Sequence, residues 1–240
     1  MVGVYRIYPK KKKSFFGDLS ATKLIIYANI IFFMVVTILL LFIPNFFNYI
    51  ALNPTNIFQG KYIWTFLTSM FMHAPGGLIL FLSFHLLINM FVLFSLGGMM
   101  ERIIGKKRFL GFYLISGLIA GVLFVFLSYF FGNTGLGSRI FGSPTISAVG
   151  ASGAIFAIAG LFMVLTPRLK FMIIFLPFFS LPAYLMIPLV LFGTWLVSSS
   201  TGFLIGNTAH FGGFLCGVVY GLYLRKKYPR KIKILNTRFN

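Results

Sequence analysis

Six long apolar runs, separated by short polar or basic turns, restrict this chain of 240 residues more than any other feature. An α-helix rises about 1.5 Å per residue, so ~20 apolar residues cross the ~30 Å hydrocarbon core of a bilayer. The runs lie at 24–43, 79–100, 109–131, 146–166, 183–199 and 206–224. We therefore predict an all-α membrane protein, a six-helix bundle in one domain over 24–224. Basic segments at 1–23 and 225–240 flank this domain.

The apolar stretch 171–199 is too long for one span and contains Pro177, Pro182 and Pro188. Proline is tolerated best in the first turn of a helix, where its missing N–H costs nothing. We therefore expect the fifth span to begin just after Pro182. Residues 171–181 are then an interfacial segment on the cytosolic side.

The basic residues fall almost entirely on one side of the predicted topology. Of 21 Lys and Arg, 19 lie in the two ends and in the turns after the second and fourth spans, and only Lys61 and Arg139 lie opposite. This positive-inside pattern predicts a multi-pass protein of the cell membrane with both termini cytosolic. It also accounts for the net charge of +19 by contact with anionic lipid, without a nucleic-acid partner. We find no cleavable signal pattern and expect the first span to be retained.

Small residues recur at intervals of three or four in two of the spans. The last span has Gly213, Gly217 and Gly221, and the fourth has Gly150, Gly153, Ala157 and Gly160. Small residues at this spacing let helix backbones approach closely, so we expect the fourth and sixth helices to pack tightly. The lone Cys216 is interpreted as a small packing residue. The external connection 44–78, rich in amides and aromatics, is expected to lie partly in the headgroup layer.

Three residues that could carry chemistry lie at one predicted depth. His85 precedes Glu101 by 16 residues, Ser152 precedes Arg168 by 16, and His210 precedes Arg225 by 15. At about 1.5 Å per residue, all three stand ~23–24 Å above the cytosolic boundary, close to the outer surface. Their helices run in the same direction, so the side chains can converge where water enters from outside.

Each of these residues also has a structural interpretation. A serine in a membrane helix usually bonds its own i−4 carbonyl, but Ser152 lies between Gly150 and Gly153, which leave room for a partner helix. The alternative for His210 is a helix–helix hydrogen bond. His85 and Asn89 share one helix face and are candidate donors to an oxyanion, or else a polar contact that holds the bundle together.

The scarcity of acidic residues limits the possible chemistry. Asp18 and Glu101 are the only acids, and both fall outside the predicted site layer. An aspartyl dyad, an HExxH zinc site and a Ser-His-Asp triad are therefore excluded, and carboxylate-based ion coupling is disfavoured. The remaining possibility is a serine activated by a histidine alone, in which the imidazole accepts the hydroxyl proton and returns it to the leaving amine.

Several segments resemble the rhomboid family of intramembrane serine proteases. They are HLLIN with His85 and Asn89, GGMMERIIG around Glu101, GASG around Ser152, and AHFGGFLCG with His210, while Trp64 and His73 resemble the family's first external loop. The resemblance implies that Ser152 is the nucleophile and His210 the base. It also implies that His85, Asn89 and the Ser152 backbone N–H form the oxyanion hole.

The resemblance further implies transmembrane protein substrates, cut in or beside their spans, with no metal and no cofactor. Two departures concern the first loop. Thr65 follows Trp64 where the family often has arginine, and the gap between His73 and His85 is about seven residues longer than in bacterial relatives.

Substrate entry is expected beside the fifth span, whose Gly193, Pro182 and Pro188 make it the least regular helix. Phe192 and Trp195 are candidates for an apolar gate in this helix. Two other functions stay open: a catalytically silent relative that binds membrane clients, and a transporter, for which a polar path at mid-membrane depth would be expected.

Overall fold

The computed structural model describes residues 19–74, 83–173, 176–201 and 206–237, most of them in helices. The helices are α1 (Ala21–Phe42), α2 (Pro54–Phe58), α3 (Thr65–Thr68), α4 (Phe84–Val92), α5 (Gly98–Ile104), α6 (Lys106–Phe131), α7 (Gly135–Phe141), α8 (Ser152–Leu165), α9 (Ala183–Thr201), α10 (Asn207–Lys227) and α11 (Pro229–Asn236). A 3₁₀ helix occupies Pro44–Tyr49. The π-helical segment Leu93–Gly97 joins α4 to α5, so that one long helix spans Phe84–Ile104.

Four of the described helices are long and apolar enough to cross a membrane: Ala21–Phe42, Phe84–Ile104, Lys106–Phe131 and Ala183–Thr201. The predicted class, a helical multi-pass membrane protein, is confirmed, whereas the count of six spans stays a prediction. Helix α8 is apolar but has only 14 residues, or about 21 Å of helix. Helix α10 has 21 residues, and its polar residues, glycines and terminal cations lower its mean hydropathy.

The predicted start of the fourth span, at residue 146, is wrong. Leu52 and Ala148 exchange two backbone hydrogen bonds, of 3.0 and 2.8 Å, which hold the chain extended ahead of the helix. Helix α8 therefore begins at Ser152, six residues later than expected. The second span begins at Phe84, and residues 79–82 of its prediction lie outside the described ranges.

The segment predicted to be interfacial, 171–181, forms an antiparallel pair of strands, β1 (Lys170–Ile173) and β2 (Leu176–Pro182). The backbone of Phe171 lies opposite that of Leu181 in this hairpin. Helix α9 begins at Ala183, directly after Pro182, as the proline argument predicted. Pro188 lies inside α9.

Helices α8 and α10 form the most extensive helix contact in the described part of the chain. A Cβ atom added at Gly213 would overlap the carbonyl of Gly153, and one added at Gly217 would overlap the carbonyl of Ala157. The two backbones therefore touch, and glycine is required at both positions. The predicted small-residue packing of the fourth helix on the sixth is confirmed.

Glu101 ties the second long helix to the first. Its carboxylate accepts hydrogen bonds from the backbone N–H of Ala21 (2.7 Å), the backbone N–H of Thr22 (2.9 Å) and the Thr22 hydroxyl (2.8 Å). Since the first N–H groups of a helix lack internal acceptors and carry partial positive charge, a carboxylate there is stabilising. Glu101 thus caps α1 and has a structural role separate from the candidate site.

Residues 43–74, most of the described part of the connection between α1 and α4, contact the bundle through backbone hydrogen bonds. Trp64 donates from its indole to the carbonyl of Tyr49 at 2.9 Å, and Thr68 donates from its hydroxyl to the carbonyl of Ile50 at 2.9 Å. Gly150 donates its N–H to the carbonyl of Ser69 at 2.8 Å. The first two bonds stabilise the connection internally. The third, with the Leu52–Ala148 pair, places Ser69 and Leu52 beside the residues that precede α8.

Candidate active site

Ser152 and His210 meet between α8 and α10. The Ser152 Oγ and the His210 Nε2 are 2.8 Å apart, a normal hydrogen-bond length for this pair of groups. The His210 side chain is buried. The expectation that the two residues converge from different helices is met, because the glycine contacts of α8 and α10 hold the backbones together just inside their N-terminal ends.

The local backbone presents Ser152 at a helix N-terminus. Gly150 has φ of +128°, a conformation that residues with a Cβ rarely adopt, and a side chain there would also overlap the His85 ring. The first N–H groups of a helix have no internal acceptor. The backbone N–H of Ser152 is therefore available to a developing negative charge.

The imidazole of His210 is held by an aromatic ring. Phe156 stacks on it with ring centroids 4.4 Å apart and an interplanar angle of 23°. The His210 Nδ1 is buried and has no hydrogen-bond partner among the described residues. Packing, and not a carboxylate, orients this imidazole. The contact was missed from the sequence, although Phe156 lies four residues after Ser152 and so on the same helix face.

His85 and Asn89 lie across from Ser152 on α4. His85 accepts a long hydrogen bond of 3.4 Å at its Nδ1 from the backbone N–H of Ala74. Asn89 is buried and donates from its side-chain amide to the His85 carbonyl at 2.8 Å. Both residues line the cavity that contains Ser152 and His210, and their roles stay predictions.

His73 adds a second histidine beside His85. Its ring is fully buried and lies edge-on to the His85 ring, with centroids 5.0 Å apart. Burial, with a smaller contribution from the nearby His85, lowers the pKa of His73 to about 3. His73 is therefore neutral in the folded protein at physiological pH, and protonation opposes folding as the pH falls below the unfolded pKa of about 6.5. Most of the long sequence between these two histidines, residues 75–82, lies outside the described ranges.

The cavity that contains Ser152 and His210 has a volume of about 1620 Å³. From these two residues it extends between the second long helix and α9. One wall is the second long helix, represented by Ile88, Ser95 and Met99. The facing wall is α9, whose lining residues are Met186, Ile187, Val190, Thr194 and Ser198. The described lining reaches the β1 strand at the basic end of the molecule.

The two candidate gate residues lie off the cavity-lining face of α9. Trp195 donates from its indole to the carbonyl of Ile140 at 2.8 Å, and its ring lies 6.0 Å from that of Phe211. Phe192 is exposed. The structure therefore places Trp195 as a link between α9 and α7, whereas Val190 and Thr194 face the cavity.

These observations define a helical multi-pass membrane protein with a serine and a histidine in contact inside a bundle cavity. The rhomboid domain family matches residues 60–227, well over half of the chain, and the chain therefore belongs to the rhomboid family.

Three relatives illustrate the range of similarity. The human presenilin-associated rhomboid-like protein, mitochondrial, is 30% identical over 60% of this chain and 35% of its own length. The rhomboid protease GlpG of Haemophilus influenzae is 25% identical over 72% of this chain and 76% of its own length. RHOMBOID-like protein 5 of Arabidopsis thaliana is 31% identical over 78% of this chain and 52% of its own length. The chain thus spans about a third of the length of the mitochondrial relatives.

Proposed function

We propose that this protein is an intramembrane serine endopeptidase that hydrolyses peptide bonds in or beside the transmembrane segments of other membrane proteins. The observation that carries the proposal is the 2.8 Å contact between the Ser152 Oγ and the His210 Nε2. A hydroxyl at this distance from an unprotonated imidazole nitrogen can lose its proton as it attacks a carbonyl. Relationship to a named rhomboid protease supports the same chemistry.

The reaction proceeds in two halves. Ser152 Oγ attacks the scissile carbonyl carbon while the His210 Nε2 takes the hydroxyl proton, which gives a tetrahedral oxyanion. The C–N bond then breaks, and the His210 imidazolium gives its proton to the leaving amine. Water, deprotonated by His210, hydrolyses the acyl ester and restores Ser152. The stacked Phe156 ring holds the imidazole where it can exchange protons with the Ser152 Oγ and with the attacking water.

Three donors stabilise the oxyanion. The first is the backbone N–H of Ser152 at the start of α8. The second is the Nε2–H of His85, because the hydrogen bond that its Nδ1 accepts from Ala74 favours the tautomer with the proton on Nε2. The third is the Asn89 amide, whose NH₂ group has a second N–H beside the one that donates to the His85 carbonyl.

The substrate enters from the lipid between the second long helix and α9, along the cavity that these helices line. Helical peptide bonds are shielded by their own hydrogen bonds, so the substrate unwinds locally before cleavage. The charge distribution supports a cell-membrane orientation with both termini cytosolic and the dyad opening toward the extracytoplasmic face.

Labelling with a fluorophosphonate probe, alongside cleavage of a tagged single-span substrate in liposomes, tests the proposal. We expect Ser152 to be labelled, and Ser152→Ala and His210→Ala each to lower cleavage by about 10³-fold or more. Ser95→Ala is the matched control, since Ser95 lines the same cavity but donates to the Phe91 carbonyl. Client binding without labelling or cleavage by the unaltered protein would instead identify a silent relative.

A further inference from the structure

Arg139 borders the cavity that contains Ser152 and His210. It belongs to the last turn of α7, and its side chain is exposed and lines the cavity. Lys170 is the only other Lys or Arg among the described lining residues, and it lies on β1, after the end of α8 opposite Ser152. In the described lining, Arg139 is therefore the one permanent charge at the end where the proposed chemistry occurs.

Hydrogen bonds hold α7 beside the start of α10. The Phe141 carbonyl accepts from the Ser128 hydroxyl at 2.7 Å and from the Thr208 hydroxyl at 3.2 Å. Arg139 precedes Phe141 by two residues on α7, and His210 follows Thr208 by two residues on α10. The fold thus fixes the backbone of Arg139 close to that of the proposed base, while its long side chain stays free to meet a bound molecule.

The Arg139 guanidinium has no hydrogen-bond or ion-pair partner among the described residues. The whole chain has only two acidic side chains, Asp18 and Glu101. Both oxygens of Glu101 accept hydrogen bonds at the start of α1. Glu101 is therefore already occupied elsewhere in the bundle.

The parts of the chain outside the described ranges cannot neutralise Arg139 either. Asp18 adjoins Leu19, whose carbonyl accepts a hydrogen bond from Lys106 at the first residue of α6. Arg139 lies beyond the last residue of this helix, which has 26 residues and is therefore about 39 Å long. Residues 238–240 contain no acidic side chain and continue from α11, which follows the end of α10 away from the candidate site.

A carboxylate of a bound substrate suits this position. A guanidinium pairs with a carboxylate through two parallel N–H···O bonds, which are stronger than bonds between neutral groups. An ionised carboxylate is costly inside the hydrocarbon core, so a substrate carries such a group in the flank of its span. Arg139 lies at the same end of the bundle as Ser152, which the charge distribution predicts to be extracytoplasmic. The complementary acid therefore belongs on the extracytoplasmic side of the cleaved bond.

We propose that Arg139 selects substrates that carry Asp or Glu within a few residues of the cleaved bond, on its extracytoplasmic side. This inference rests on the proposed proteolytic function and adds a substrate preference to it. The guanidinium binds the carboxylate and takes no part in the making or breaking of bonds.

The test uses the full chain in liposomes and a tagged single-span substrate whose cleaved bond is mapped by mass spectrometry. About five residues on the extracytoplasmic side of that bond are replaced one at a time by Asp and, as the uncharged match, by Asn. At one position or more, we expect kcat/KM to be about fivefold higher for the Asp substrate, as for a partly exposed charge pair. The preference should shrink at about 0.5 M salt, because exposed charges are screened.

Variants of Arg139 then identify the group that reads the charge. Arg139→Gln should bring the ratio of kcat/KM for the Asp and Asn substrates to about one, and Arg139→Lys should retain part of the preference. Arg139→Glu should invert it, so that a substrate with Lys at the same position is cleaved faster than one with Asp. A parallel loss on Asp and Asn substrates in Arg139→Gln would overturn the proposal, since a role in folding or in lipid contact has that result.

Lys61→Gln is the matched control. Lys61 is the other cation on the predicted extracytoplasmic side, it donates to the Gln59 side chain at 3.0 Å, and it does not line the cavity. We expect its ratio for the two substrates to equal that of the unaltered protein, and an equal loss in Lys61→Gln and Arg139→Gln would overturn the proposal in favour of diffuse attraction. Binding of both substrates to Ser152→Ala, followed by fluorescence anisotropy, needs no cleavage. It decides on Arg139 even if the proteolytic function itself fails: tighter binding of the Asp substrate supports the proposal, and equal binding overturns it.

Discussion

Helices α8 and α9 both border the large cavity, but they are packed very differently. In α8, 11 of 14 residues are buried, and a Cβ added at Gly213 of α10 would meet its backbone. In α9, only 4 of 19 residues are buried, and a Cβ added at Gly193 would meet nothing within 4 Å. Helix α9 also contains Pro188, which removes one backbone hydrogen bond.

The difference corresponds to two requirements of the proposed intramembrane protease. The Ser152–His210 pair needs its two backbones held in fixed relative positions, to within a fraction of an ångström. The glycine contacts between α8 and α10 provide this. Substrate entry needs a wall that moves at small cost, and a helix with few buried side chains meets that need. Changes that disturb the α8–α10 contact should therefore have larger effects than changes in α9.

The largest effect is expected from Gly213→Val. The added side chain overlaps the carbonyl of Gly153, next to Ser152, and forces α8 and α10 apart. Because a shift of about 1 Å in catalytic geometry can cost ~10²-fold, we expect at least that loss of cleavage and a destabilisation of about 1–3 kcal/mol. Gly193→Val introduces the same side chain into α9 and should leave both quantities nearly unchanged. Equal losses in the two variants would contradict the comparison.

A slightly smaller effect is expected from Asn89→Ala, which acts on the wall facing the dyad. Loss of one oxyanion donor should lower kcat by about 10²-fold with little change in KM. Steady-state kinetics on a tagged single-span substrate provide the measurement. If kcat is unaffected, Asn89 serves only as a contact to the His85 carbonyl.

Phe156→Ala should sharpen the account of how the dyad is held. Removing a ring stacked 4.4 Å from the His210 ring costs the imidazole its orientation, and aromatic pairs contribute about 0.5–1.5 kcal/mol. We expect cleavage to fall about tenfold, whereas Phe156→Tyr should retain most of the activity. A pH–rate profile identical to that of the unaltered protein would argue against any effect on His210.

The smallest effect, of opposite sign, is expected from Trp195→Phe. The variant loses the 2.8 Å hydrogen bond to the Ile140 carbonyl, which is worth about 1 kcal/mol, and so loosens α9 from α7. If opening of this wall limits turnover, cleavage should rise up to about fivefold while the unfolding temperature drops slightly. Slower cleavage would mean that α9 contributes to the dyad geometry as well.

Much of the fold follows from local patterns in the sequence. Hydrophobic run length predicts the bounds of the first and third spans to within three residues and those of the second to within five. Pro182 predicts the start of α9. The prediction of where α8 starts is wrong because the determining interaction is a backbone pairing of Leu52 with Ala148. These residues lie about a hundred positions apart in the sequence. The sequence predicts an interfacial segment at 171–181 but not its strand pairing, since a short apolar run with prolines has no clear period.

The site divides in the same way. Ser152 and His210 could be found from their residue types, their depth and the glycines around them. The stacking of Phe156 on His210, the burial of His73 against His85, and the turn of Trp195 away from the cavity depend on contacts between separate segments. No spacing rule reports such contacts.

The sequence by itself determined that the chain crosses the membrane and on which side of it the basic residues lie. It also determined that a serine and a histidine, without a carboxylate, are the candidate reactive pair. These properties depend on composition and on distance along one helix, which the residue order contains directly. Only the tertiary structure decided that Ser152 lies at a helix N-terminus and that an aromatic ring orients His210. Both depend on segments that are distant in sequence: Leu52 pairs with Ala148 ahead of α8, and the close packing of α8 on α10 brings Phe156 to His210.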